Sequence, residues 1–226
     1  MRLEWASFKA VKYACFKWHY SRSVPAGPSI RIGVYEKQRF IGVVIFSRGA
    51  CQNLGNPYGL HQTEICELSR VALSSHTVPV SRVISVCLKM LKGKASGLRL
   101  CVSFADQNAG HHGGIYQAAN WVYSGESKST PKFLTPSGAL LHSRQVSNTG
   151  FNSEFGVIRR VPKKSECVLI PQFNKYRYLY PLDKEMREQV KTLAKPYPKR
   201  PNLGDGCDQH HSGGATPTRT LQDGNV

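Results

Sequence analysis

The sequence predicts one α/β domain over residues 1–194, a central mixed sheet flanked by helices, followed by a disordered Pro/Gly-rich tail over 195–226. Three observations predict it. From residue 63 the chain reads strand, helix, strand, helix, strand, the order of a sheet with crossover helices. Residues 79–92 repeat apolar side chains at i, i+3, i+4 and i+7, whereas 98–104 alternate at every second residue. The length of 226 residues suits a single domain, and the chain from 195 onward is poor in apolar residues.

Each element has its own signal. Phe8, Val11, Cys15 and Trp18 form one stripe and place a helix over 5–18, with Lys9 and Lys12 on another face. Pro25, Gly27 and Pro28 forbid continuation, so His19 and Tyr20 fall at its C-terminal end. Ile30, Ile32 and Val34 alternate and give a strand over 29–35. FIGVVIF, at 40–46, is apolar enough for a buried strand, and EKQR between the two suits a hairpin turn. A loop rich in Gly, Asn and Pro leads to a strand over 63–73. Pro79 opens the best helix at its first position, Val83, Ile84, Cys87, Leu88 and Leu91 carry its stripe, and Gly93 can cap it. In LRLCVSF, Leu98, Leu100, Val102 and Phe104 share one face. Beyond Asp106 a Gly-containing loop leads to a short helix over 113–120 and a strand from Trp121. Residues 127–182 read as loops and short strands. The stretch KYRYLY there suits an edge strand as well as an aromatic face for stacked bases. A helix over 183–194 starts from Asp183.

The net charge is +17, and residues 195–226 hold only +1 of it, which leaves +16 on residues 1–194. The charge belongs to the folded body. No acid lies between Glu4 and Glu36, nor between Glu67 and Asp106. Such a body attracts polyanions, nucleic acid first, over a generic basic protein or one that binds anionic membrane. No apolar run reaches the roughly 18 residues of a membrane span, and the basic, amphipathic N-terminus lacks the apolar centre of a signal peptide. A cytoplasmic protein is expected. Cys15, Cys51, Cys66, Cys87, Cys101, Cys167 and Cys207 are scattered without a CxxC pair, so neither a zinc ribbon nor a disulfide framework is expected.

SFADQNAGHHGGIYQAANW, at 103–121, concentrates chemistry. Asp106 ends a strand, where α/β sheets hold their ligands. It reads as a base or metal ligand, or equally as a helix cap or the partner of a nearby Arg. His111 and His112 sit in a Gly-bracketed loop above that strand end and suit phosphate, metal or substrate, or plain solvent exposure. Tyr116 is either a proton donor or a half-buried core ring. His19 and Tyr20 are helix-end packing unless the fold brings them to Asp106. FKWHYSR, with Arg22, interleaves aromatic and basic residues. Arg70 lies in a strand of the basic stretch, and RRVPKK (Arg159, Arg160, Lys163, Lys164) is a candidate phosphate contact.

NAGHHGGIYQAANW resembles the fourth helix and following strand of the GNAT superfamily of N-acetyltransferases, in which the helical Tyr often protonates the leaving thiolate of coenzyme A. The pyrophosphate loop of that superfamily is glycine-rich; here it is SSHTVPVS, with no Gly. A narrower likeness covers most of residues 5–183. WHYSRSVPAGP, ELSRVAL, SFADQNAGHHGGIYQAANWVYSG and KYRYLYPL resemble the Mom family of bacteriophage DNA-modification proteins. The resemblance implies a GNAT-like fold and conversion of adenine in double-stranded phage DNA to N6-carbamoylmethyladenine, in the host cytoplasm, which protects the DNA from restriction. It assigns the family's essential residues to His19, Tyr20, Asp106 and Tyr116, and iron, with His19, Tyr20 and Asp106 as ligands. It leaves the donor between acetyl-coenzyme A and an aminoacyl carrier such as a charged tRNA. Two other readings stay open: an N-acyltransferase acting on a small amine or protein, and a DNA-binding protein without catalysis. The oligomeric state is not readable.

Overall fold

A computed structural model describes residues 1–154 and 156–199. The chain opens with a short strand, β1 (Arg2–Trp5), and helix α1 (Phe8–Trp18), whose first turn is capped by the Ser7 side chain. β2 (Ser29–Glu36) and β3 (Arg39–Ser47) form a hairpin through Lys37 and Gln38, both at positive φ (46° and 65°). That geometry matches the right-handed twist of the strands. Then come β4 (Ile65–Leu73), α2 (Val80–Lys94), β5 (Leu100–Asp106), the four-residue α3 (Gly114–Gln117) and β6 (Val122–Ser127). An insertion supplies β7 (Lys132–Leu134), β8 (Leu140–His142), β9 (Phe151–Glu154), β10 (Val157–Arg160) and β11 (Val168–Ile170). β12 (Lys175–Pro181) and α4 (Lys184–Lys191) follow, with Asp183 as the expected helix cap.

The main sheet has seven strands in the order β1-β2-β3-β4-β5-β12-β6. It is mixed, as expected, but largely antiparallel: β4 and β5 are its parallel neighbours, joined by the α2 crossover. The expected second crossover does not put β6 beside β5, because β12 inserts between them, antiparallel to both. Small sheets of two strands (β10-β9) and three strands (β11-β7-β8) lie in the insertion.

Burial explains the layers. On one face α1 packs Val11, Ala14 and Cys15 against Val43, Ile45 and Ala72, and α4 packs Met186 and Val190 against Ile65, Leu100, Val102 and Leu179. The opposite face meets α2 and α3 through Phe46, Cys66, Leu68, Cys101, Tyr178 and their neighbours.

Several expectations need correction. Phe8 is on the solvent side of α1, 58% exposed, because small residues (Ala14, Cys15) form the contact with the sheet. α2 begins after Pro79, which is its cap, and runs through Gly93 to Lys94. KYRYLY is neither an edge strand nor a stacking face. β12 is internal, and the Tyr178 ring and Leu179 are fully buried. Residues 195–199, assigned to the tail, bond to the body: Lys195 N–H donates to Tyr123 O (2.8 Å), the Tyr197 hydroxyl to Trp121 O (2.7 Å), and Gln117 Nε2 to Pro198 O (3.2 Å). The tail expectation beyond residue 199, with Cys207, lies outside the described residues. The described cysteines are free thiols, and among the described residues no helix is long and apolar enough to cross a membrane.

Candidate active site

β4 and β5 pair over three residues only, Ile65 with Leu100, Cys66 with Cys101 and Glu67 with Val102. β4 then continues to Leu73 and β5 to Asp106, so the two strands fork. Ser103 holds the base of the fork: its hydroxyl lies 2.9 Å from Leu68 O and 2.8 Å from the Tyr116 hydroxyl. Ser103 has one hydroxyl proton, so when it donates to Leu68 O, the Tyr116 hydroxyl donates to Ser103. Tyr116 is buried, packed on Trp121 and Tyr178. Burial pushes its phenol well above the ordinary value, against the Ser103 bond. It is a proton holder at neutral pH.

The fold brings the end of α1 to the same place. The α1 cap is His19 itself, whose N–H bonds back to Cys15 O. The Tyr20 ring lies 4.5 Å from that of His19 and 5.2 Å from that of His111, centroid to centroid. Burial and the nearby Asp106 carboxylate raise the Tyr20 phenol, with Arg70 opposing. Tyr20, Tyr116 and Glu67 are close enough to perturb one another. His19, Tyr20, Asp106, His111 and Tyr116 therefore form one cluster at the fork.

His19 has a fixed protonation state. The Ser21 backbone N–H donates to its Nδ1 at 3.1 Å, and Ser21 Oγ lies 2.8 Å from the same nitrogen. Burial, with Arg70 and His111 beside it, holds the imidazole pKa down to about 3. The ring is neutral, and its proton sits on Nε2.

Arg70, expected on DNA, is an internal clamp. Its guanidinium donates to Ser23 O (3.2 Å), Ser23 Oγ (3.3 Å) and Ser69 O (2.7 Å). Ser23 Oγ bonds Ser21 Oγ at 3.2 Å, so the chain of contacts runs from β4 to the His19 ring.

Asp106 takes the cap reading. Its Oδ1 accepts from Asn108 N (3.0 Å) and Asn108 Nδ2 (2.9 Å), and Lys175 Nζ lies 3.5 Å from Oδ2. Burial alone would raise its pKa, but the Asn108 bonds and Lys175 carry it below the ordinary carboxylate value. It is a fixed negative charge, poorly suited to accept a proton.

The residue with the opposite tuning is Glu67, which sequence reasoning passed over. Alternation on β4 sends Cys66 and Leu68 to the α2 side, and Glu67 to the side of α1 and Tyr20. Gly49, at φ +78°, passes so close that a Cβ there would sit 3.0 Å from a Glu67 carboxylate oxygen. Burial raises the Glu67 pKa above the ordinary value, against Arg70 and Lys175. The signal was present in ICELSRVAL: an acid inside an apolar strand with neutral neighbours on either side.

His111 and His112 divide. The His111 ring is exposed against Tyr20, its pKa lowered by burial and by His112 against the pull of Asp106. The His112 carbonyl accepts from the buried Tyr178 hydroxyl (2.6 Å), which pins the loop. Arg22 is exposed beyond α1 at φ 45°. Arg159 and Arg160 lie on β10, with Lys163 and Lys164 at the following turn, all exposed on the insertion and not on the main sheet.

The resemblance implies two groups, iron and coenzyme A, and the donors at the fork and before α2 bear on each. For iron, His19 Nδ1 accepts the Ser21 N–H, which leaves the ring proton on Nε2, and Asp106 Oδ1 already accepts twice while Oδ2 faces Lys175; among the described residues no group of three or more His, Cys, Asp or Glu could hold a metal, a count that leaves out the expected Tyr20. For the pyrophosphate of coenzyme A, the backbone amides of Thr77 and Val78 before α2 already donate to the Glu36 carboxylate, at 3.1 Å each, and Thr77 Oγ1 bonds it at 2.7 Å. The Glu36 carboxylate occupies two of the amides that a pyrophosphate before α2 would meet. In this arrangement either group would have to displace bonds already made.

The comparisons agree with the quoted sequence stretches. The chain is 29% identical over 188 residues to the methylcarbamoylase Mom of Escherichia phage Mu, covering 80% of this chain and 76% of that protein. The sequence pattern of the Mom protein family matches residues 1–199, a span that contains the whole forked cluster. This chain belongs to the Mom protein family.

Proposed function

We propose that this chain is a DNA-modifying transferase that converts adenine in double-stranded DNA to N6-carbamoylmethyladenine and so protects phage DNA from restriction. Its relative in phage Mu is named a methylcarbamoylase. The observation that carries the reading is the packing of Tyr20 on His111 at the fork of β4 and β5, with Tyr116 bonded to Ser103 at its base and Glu67 within electrostatic reach, in a body of net charge +16. The fork also supports the GNAT-like reading of the fold, since it lies between the parallel strands that follow the hairpin and the crossover helix.

The exocyclic amine of adenine is a poor nucleophile, because its lone pair is delocalised into the ring, and in duplex DNA it faces a partner. Its modification needs an extruded base, close positioning and a group to take the proton. Glu67 is that group: as the N6–carbon bond forms, the amine proton passes to its carboxylate, which burial makes a stronger base than an ordinary glutamate. His19 offers an Nε2–H donor to hold the base or the donor carbonyl. Tyr116 keeps its proton for the leaving group. Asp106, a fixed charge, favours the protonated forms of Tyr20 and His111.

The group donor is an acyl or aminoacyl carrier. An acetyl group contains no nitrogen, so acetyl-coenzyme A alone cannot supply the amide. An aminoacyl carrier such as a charged tRNA brings nitrogen, and its glycyl group is an isomer of carbamoylmethyl, so transfer to N6 must be followed by a redox-neutral isomerisation that moves N6 from the carbonyl carbon to the methylene carbon and the amine nitrogen to the carbonyl carbon.

Nucleoside mass spectrometry of DNA from cells expressing the chain tests the proposal. A modified deoxyadenosine that disappears in Glu67→Gln supports it. Unmodified DNA beside an acylated small amine would replace it with the N-acyltransferase reading, and salt-dependent binding without any covalent product would leave a DNA-binding protein.

A further inference from the structure

α1 buries Val11, Ala14 and Cys15 against the sheet and turns Phe8, Lys9, Lys12, Tyr13, Phe16 and Lys17 to solvent. Every exposed position of the helix is therefore an aromatic ring or a lysine. A solvated helix face ordinarily mixes both charges with small polar residues. This one has no acid and no small polar residue, and the sequence holds no acid from residue 5 to residue 35. The rings are substantially bare: Phe8 58%, Tyr13 54% and Phe16 51% exposed. The Arg31 guanidinium over the Phe8 ring, 5.8 Å from its centroid, extends the pattern beyond the helix.

The face is also continuous with the site. α1 ends at Trp18, His19 is its cap, and Tyr20 packs on His111 at the fork. A nucleic acid that presents a base at the fork passes the end of this helix. Bare rings alternating with lysines are the chemistry that holds an unpaired strand, bases stacked on the rings and phosphates on the cations. A paired duplex has no bases free for the rings.

We infer that the outward face of α1 is the docking surface for the unpaired DNA strand flanking the extruded adenine. This rests on the DNA-modifying reading and names the surface that delivers its substrate.

The full chain is tested by fluorescence anisotropy with two labelled DNAs, a fully paired duplex and the same sequence with a short adenine-containing bubble. Two variants are compared with the wild type: Phe8→Ala with Phe16→Ala, and Lys9→Gln with Lys12→Gln and Lys17→Gln. All five positions are exposed, and thermal melts that match the wild type confirm an intact fold. The lysine variant is expected to reduce the slope of log affinity against log salt by about 2 to 3. The ring variant is expected to weaken bubble binding about tenfold or more and to leave duplex binding unchanged. Unaltered affinity and slope in both variants overturns the inference. So does a ring variant that abolishes self-association in sedimentation, since the face then joins two copies, or one that loses only binding to anionic vesicles. Mass spectrometry of the same DNAs separates the two proposals. If the wild type leaves DNA unmodified while the variants still lose bubble binding, the docking surface stands and the enzyme reading falls. If the wild type modifies DNA and the variants bind and modify it equally well, the enzyme reading stands and the docking surface falls.

Discussion

The rings of Tyr20 and His111 lie 5.2 Å apart, and they join the end of the first helix to the loop after β5. That contact turns two distant stretches into one site. It also fixes what His19 can do, because the same turn that presents Tyr20 carries the Ser21 N–H that bonds His19 Nδ1.

His19 should not titrate in the neutral range. Its folded pKa is held down to about 3, below the ordinary 6.5. Between those values the unfolded chain takes up a proton that the folded chain refuses, so stability falls as pH drops from 6.5 toward 3. Nitrogen-15 spectra are expected to show a neutral ring with its proton on Nε2 from about pH 5 to 8, and His19→Asn is expected to flatten the acid loss of stability. A His19 midpoint near 6.5 contradicts both.

Glu67 and Asp106 should separate in a pH profile. With Glu67 as proton acceptor, DNA modification rises with pH through an apparent pKa above the ordinary 4.5. Glu67→Gln is expected to lower the yield about a hundredfold or more. Asn caps as well as Asp does, so Asp106→Asn is expected to keep the fold and the acid limb while lowering the plateau. If the limb follows Asp106 instead, the assignment of the acceptor is wrong.

Tyr116→Phe removes one hydroxyl from the Ser103 bridge. The expected cost in stability is about 1 kcal/mol, measured by urea denaturation, with product reduced well beyond what that loss explains. Ser103→Ala is the companion variant, since it removes the bridge and spares the phenol. Full activity in Tyr116→Phe would return the ring to a packing role.

Gly113 is the strictest position around the site. It sits at φ +87°, and a Cβ there would run into the Tyr178 ring. Gly113→Ala is expected to cost about 2–4 kcal/mol, overpacking and backbone strain together. A melting temperature equal to that of the wild type would show that the loop moves aside freely.

Much of the fold was legible because periodicity reports burial. α2, β3 and β5 are long and strongly patterned, and each lies within two residues of where its pattern placed it. β1 was not legible, since Arg-Leu-Glu-Trp offers four residues with little buried surface. β12 reads as an edge because its aromatic and basic residues look solvated, and only the sheet order reveals that Tyr178 and Leu179 are core. At the site, the meeting of His19 and Tyr20 with the Asp106 strand end depends on a loop no local pattern encodes. Glu67 was hidden for the opposite reason: a lone acid in a strand ordinarily points to solvent and asks for no explanation. For Asp106 the local reading, a cap, is what Asn108 makes of it, and its cationic partner is Lys175 in place of an Arg.

The place of β12 has a consequence for biosynthesis. It completes the sheet between β5 and β6, and its Tyr178 hydroxyl pins the histidine loop. While the ribosome is still making the insertion, β5 and β6 each expose an unsatisfied edge and the loop has no anchor. A nascent chain therefore carries every residue of the fork through residue 127 and still lacks an assembled centre. A chain that ends before residue 175 therefore lacks the strand that pairs with both β5 and β6 and the Tyr178 bond to the histidine loop.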